Sequence, residues 1–138
     1  MQYLLADEIH FYFVEYAYSL QATEKSDVYS LGIVLMELVS GKMPTDEAFG
    51  VDMDMVRWVE TRIEMENVAD REELIDPCLK PMSPHEESAA FQVLEIALLC
   101  TKTAPQERPA SRRVCDQLQH VYNPRTLDYE KKQTNPYA

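Results

Sequence analysis

The residue types that usually carry acid–base, metal or nucleophilic chemistry are few and poorly grouped. His10, His85 and His120 form no metal-ligand pattern with Cys78, Cys100 and Cys115. The three cysteines are odd in number, widely spaced and contain no C-x-x-C. Cys100 lies in an apolar run and Cys115 beside Val114, so both read as reduced packing residues of a cytosolic protein. Serines, histidines and cysteines are scattered, without a nucleophile–base arrangement. The paired carboxylates Glu86 and Glu87 sit where a helix start favours negative charge. With only three glycines, Gly32, Gly41 and Gly50, the phosphate-cradling pattern G-x-G-x-x-G cannot be written. None of these residue sets therefore points to a catalytic, metal or cofactor site.

Bulk properties narrow the class. A chain of 138 residues with 46% hydrophobic and 27% charged residues has the length and composition of one globular domain. No apolar run reaches membrane-spanning length, and "MQYLLADEIH" lacks the basic start of a signal peptide. The net charge is −11, with 17 acids against 5 bases in residues 1–76 and 7 against 8 in residues 77–138. Such a chain repels phosphate backbones, which excludes nucleic acid as the expected partner. Solvated acidic helix faces account for the charge more simply than a dedicated site for a basic partner.

Periodicity predicts four helices and requires no strand. "TEKSDVYSLGIVLMELVSGK" can be capped by Thr23 or Ser26, with Glu24 and Asp27 near the positive end of the dipole. Gly41 and then Pro44 end it. From Asp27 to Val39, 9 of 13 residues are apolar, nearly all the way round, so this helix is expected to be enclosed by protein. "DMDMVRWVETRIEME" places Met55, Val59 and Ile63 on one stripe, with Trp58 beside it. "PHEESAAFQVLEIALLCTKT" offers Ala90, Val93, Leu94, Ala97 and Leu98 as a wide apolar face. "PASRRVCDQLQHVY" turns Val114, Leu118 and Val121 to one side. The connectors "GKMPTDEAFGVD" and "DPCLKPMSPHEE" read as loops. Residues 1–22 have no clear period and are expected to be irregular. Residues 123–138 form a polar, proline-punctuated tail expected to be mobile.

The order "SDVYSLGIVLMELVSGKMP", "MVRWV", "LIDPCL", "LEIALLCTKTAPQERPASRRV" resembles the C-terminal lobe of eukaryotic protein kinases. More narrowly it resembles plant leucine-rich-repeat receptor-like serine/threonine kinases of the GASSHO type, over roughly Glu15 to Val121. The resemblance implies an all-α partial C-lobe in which the four helices, within residues 23–122, are helices F to I. It also implies structural roles for three residues. Glu15 matches the glutamate closing the Ala-Pro-Glu motif, and Arg108 in "QERP" matches the arginine that pairs with it. Asp27 matches the helix-F aspartate that braces the catalytic loop.

Other parts of the family pattern are missing from these 138 residues. Kinases need a Gly-rich loop, a strand lysine, a catalytic Asp, and Asn and Asp side chains for magnesium. None of the six lysines lies in a V-A-I-K-like strand. The three histidines precede Phe11, Glu86 and Val121, so H-R-D is absent. "AFG" at 48–50 looks like a D-F-G that has lost its aspartate, but it follows Glu15 and helix F, whereas D-F-G precedes them. "HFYFVEY" has Phe13-Val14 where the family has Ala-Pro. The expectation is an inert C-terminal kinase portion, with no catalytic, cofactor or metal residues in this chain and no ATP binding. The parent family uses ATP and magnesium. The alternatives are an incompletely predicted gene of an active serine/threonine kinase, or a non-catalytic helical module. A module of that kind would bind a protein partner or self-associate through exposed apolar surface. The chain as written reads as cytoplasmic, and the parent family as the cytoplasmic side of the plasma membrane.

Overall fold

The structure, a computed structural model, describes residues 23–50 and 52–122. Helix α1 covers 23–40. Its apolar residues do not all face inward. Val28, Leu35, Met36 and Val39 are buried, while Leu31, Val34 and Leu38 are 37%, 46% and 67% exposed. The expected full enclosure is therefore half met, with one stripe of α1 turned outward. At the helix end the buried Ser40 Oγ donates to the Met36 carbonyl at 2.7 Å and accepts from Lys42 N, which satisfies a polar group in the core. Gly41 then adopts φ 69°, a left-handed conformation that costs glycine nothing, and its N–H bonds the Glu37 carbonyl at 2.8 Å.

Local chemistry sets the starts of the next elements. Asp54 caps α2 (Met55–Ile63) by accepting from Arg57 N at 2.8 Å. Asn67 caps α3 (Val68–Glu72) through Ala69 N. Helix α4 (Pro84–Cys100) opens with a reciprocal capping box. Ser83 Oγ accepts from Glu86 N, Glu86 Oε2 accepts from Ser83 N, and Pro84 takes the first position. Helix α5 (Ser111–Tyr122) follows. Short 3-10 turns occupy Glu47–Phe49, Pro77–Leu79 and Pro105–Glu107. Among the described residues there is no strand.

Helix α4 is the hub, packing against α5 and α2, while α2 packs against α3. It can do this because its apolar residues spread around the cylinder. Ala90, Leu94 and Ala97 share one face, Ile96 and Cys100 lie beside it, and all five are buried. Helix α1 crosses the C-terminal end of α4 at Gly32, where an added Cβ would meet Ala97 O and Cys100 Cβ, both at 2.9 Å. The "LIDPCL" segment closes the other end of α1. Leu74 and Ile75 are buried, and Asp76 N donates to the Val39 carbonyl at 2.8 Å, one of the carbonyls a helix end leaves open. Under α2, Trp58 is buried against Phe49, with ring centroids 5.2 Å apart. Lys42 and Arg62 lie over it at 5.6 and 5.3 Å.

The four expected helices are present, and their named stripe residues face the core. Three details differ. Helix α3 was not anticipated from the sequence because five residues carry no period, although Asn67 as cap, Asp70 early and Arg71 late are its signature. Thr23 and Ser26 both lie inside α1, so neither stands at the capping position before it. Cys115 is exposed, because its helical neighbour Val114 is the inward residue and the next position is rotated about 100° away. The readings for residues 1–22 and 123–138 lie outside the described residues.

Candidate functional site

Two of the three residues singled out by resemblance, Asp27 and Arg108, meet the structure near the start of α1. Arg108 ends the 3-10 turn Pro105–Glu107, in the loop between α4 and α5. Its guanidinium lies over the Tyr29 ring at 4.7 Å. Nε donates to the Lys102 carbonyl at 2.7 Å, Nη1 to the Lys25 carbonyl at 3.1 Å and Nη2 to the Thr103 carbonyl at 3.3 Å. Lys102 and Thr103 follow the C-terminus of α4, where carbonyls point outward and partial negative charge collects. A planar fork suits that geometry; a lysine ammonium would not. The contact is returned by Lys25 Nζ, which donates to the Arg108 carbonyl at 2.6 Å. Residues 83 apart in sequence thus lock the start of α1 to the α4–α5 loop.

Beside this lock is a second clasp. Glu24 Oε1 accepts from Ser111 N at 3.1 Å and from Ser111 Oγ at 3.0 Å. A carboxylate of α1 therefore caps the first turn of α5 and satisfies a donor the helix start leaves open. The backbone hydrogen bond from Ser111, then that from its hydroxyl, holds the Glu24 carboxyl below its ordinary value of 4.5. Sequence reasoning assigned Glu24 to the dipole of its own helix and missed this role. The bond spans 87 residues, and no local pattern announces it.

Asp27 is exposed on α1. It leads a stripe continued by Leu31, Val34 and Leu38 at i+4, i+7 and i+11, the same residues that the core leaves outside. Glu15 lies outside the described residues. Burial raises the Cys100 thiol above its usual range, which suits a packing residue and not a nucleophile. Among the described residues no three His, Cys, Asp or Glu side chains gather as metal ligands. The start of α1 is thus a structural lock, and an open apolar edge runs from it along the helix to Leu38.

Comparison with known families gives a match to "Protein tyrosine and serine/threonine kinase" over residues 5–118, most of the chain. The chain belongs to this protein kinase family. Among its relatives in Arabidopsis thaliana, the LRR receptor-like serine/threonine-protein kinase GSO1 is 71% identical over 117 residues, covering 85% of this chain and 9% of that protein. The LRR receptor-like serine/threonine-protein kinase GSO2 is 59% identical over 122 residues, 88% of this chain and 10% of that protein. Receptor-like protein kinase 5 is 46% identical over 107 residues, 78% and 10% respectively. This is a stretch of a plant LRR receptor-like serine/threonine kinase domain, and it spans about a tenth of the length of the curated relatives it matches. Among the described residues of this kinase chain, no helix is long and apolar enough to cross a membrane.

Proposed function

We propose that these 138 residues are the helical scaffold of the C-terminal lobe of a receptor-like serine/threonine kinase and do not themselves bind ATP or transfer phosphate. One observation carries this reading. The kinase match runs through residues 5–118, yet the sequence contains no Gly-rich loop, strand lysine, H-R-D or D-F-G. In this reading α1, α2, α4 and α5 are helices F, G, H and I. Asp27 braces the catalytic loop, and Glu15 pairs with Arg108. The carbonyl lock is compatible with the last assignment, because it uses three of the five guanidinium N–H groups and leaves two for a carboxylate. The parent domain, on the cytoplasmic side of the plasma membrane, transfers the γ-phosphoryl group of Mg-ATP to protein serine or threonine. A thermal-shift titration of the 138-residue chain with Mg-ATP is expected to leave the Tm unchanged. A saturable rise would overturn the reading, since ligand binding to the native state must stabilise it. Genomic sequence immediately upstream separates the sub-cases. An in-frame H-R-D followed by D-F-G there would make the protein an active kinase.

The outward stripe Leu31, Val34 and Leu38 favours a second reading, a non-catalytic module that meets a partner or a second copy. Sedimentation of a well-folded monomer at all concentrations would remove self-association.

A further inference from the structure

Away from α1, helix α4 carries a second lined face. Pro84, Glu87, Ser88, Phe91, Gln92 and Glu95 recur at i, i+3, i+4, i+7, i+8 and i+11, a stripe about 16 Å long. Helix α3 stands beside it, and Val68, Arg71 and Glu72 form the opposite wall of a groove of about 480 Å³. Its floor is the half-buried Phe91 ring, with the Arg71 guanidinium over it at 4.6 Å. Val68, 68% exposed, puts an apolar side chain on the rim. Four carboxylates surround this floor: Glu66, Glu72, Glu87 and Glu95.

We propose that this α3–α4 groove docks a short cationic segment of a partner protein, in which lysine or arginine alternates with an aliphatic residue. Four carboxylates against one guanidinium leave the lining strongly negative, and Arg71 is already engaged with Phe91. Among the described residues the salt bridges are those of Arg62 to Asp70 and Glu73, so none of the four groove carboxylates is ion-paired there. Charge complementarity therefore selects a cation and disfavours a nucleic acid. The apolar floor calls for more than charge, because Phe91 and Val68 bind only where an apolar side chain covers them. An extended segment of about five residues matches the length of the stripe. The groove uses neither the missing nucleotide motifs that carry the scaffold reading nor any residue of the Leu31–Val34–Leu38 stripe, so its peptide test and the Mg-ATP titration can fail separately.

The test uses the 138-residue chain and a fluorescein-labelled peptide alternating lysine with leucine. Anisotropy is expected to report saturable binding that weakens several-fold between about 50 and 300 mM salt. The peptide is expected to perturb amide resonances of α3 and α4 in a ¹⁵N spectrum. Glu87→Lys with Glu95→Lys should weaken binding by about tenfold or more, and Phe91→Ala should weaken it without changing the salt slope. Glu66→Gln with Glu72→Gln, at two exposed positions, provides a second charge variant if the first pair disturbs α4. Absence of binding, unchanged affinity in the charge variants, equal binding of a glutamate–leucine peptide, or perturbations confined to other helices would overturn the proposal. An undispersed spectrum would also overturn it, because the groove exists only with α3 docked on α4.

Discussion

Gly32→Ala tests the packing at its tightest point. In isolation the change favours α1, because alanine in a helix interior is better than glycine by about 1 kcal/mol. The structure reverses that expectation. The new Cβ would lie 2.6 Å from Thr101 Cγ2 and 2.9 Å from both Ala97 O and Cys100 Cβ, where ordinary contact begins at 3.4 Å. The helices must therefore part by about 0.5–0.8 Å, the difference between these values. None of the three neighbours yields easily. Ala97 O is backbone, Cys100 is fully buried, and Thr101 is pinned by its hydroxyl to the Ala97 carbonyl at 2.9 Å. Overpacking of this kind costs about 1–3 kcal/mol, and the backbone contact puts this case in the upper half. After the propensity gain, the net loss is about 1–2 kcal/mol. With a urea slope of about 1.5 kcal/mol per molar, the midpoint should fall by roughly 0.7–1.3 M. Trp58, 4% exposed, supplies the fluorescence signal. A midpoint equal to or above that of the wild type would refute the close approach of α1 and α4, because propensity alone would then have set the sign.

Two further outcomes follow from the locks at the start of α1. Arg108→Lys keeps the charge but cannot reach three separated carbonyls or stack flat on Tyr29. It should cost about 1–2 kcal/mol, and a urea midpoint matching the wild type would show that the fork geometry is immaterial. The folded carboxyl of Glu24 lies below its ordinary value of 4.5, so its contribution is complete above that value and disappears as pH falls through the lower folded one. Wild type and Glu24→Gln should therefore differ in urea midpoint near neutrality and converge on acidification below 4.5; parallel curves would contradict the clasp to Ser111.

Several elements were legible because their determinants are local. Glu86 and Glu87 mark the start of α4 by their charge, and Ser83, three residues before Glu86, completes a cap with it that the charge alone does not reveal. Gly41 and Pro44 stop α1 wherever α1 is packed. The order of the four segments was equally readable and carries the kinase resemblance. Helix α3 is not legible by periodicity because five residues cannot show a 3.6-residue period, which leaves only its cap Asn67 and the charges of Asp70 and Arg71 as signals. Cys115 is exposed although its sequence neighbour Val114 is buried, because the next position along a helix faces elsewhere.

What the sequence by itself determined was the presence and order of the four longer helices, the family, and the absence of nucleotide-binding motifs from these residues. All of these rest on short-range spacing, which survives without knowledge of contacts. The faces were decided by the tertiary structure. With 9 of 13 residues apolar, α1 carries no periodic signal to say which stripe goes inward. Gly32 settles it, because the absent Cβ lets one face meet α4 and turns Leu31, Val34 and Leu38 outward. The pairings of Glu24 with Ser111 and Lys25 with Arg108, across more than 80 residues, likewise exist only once α1 has been laid across the end of α4.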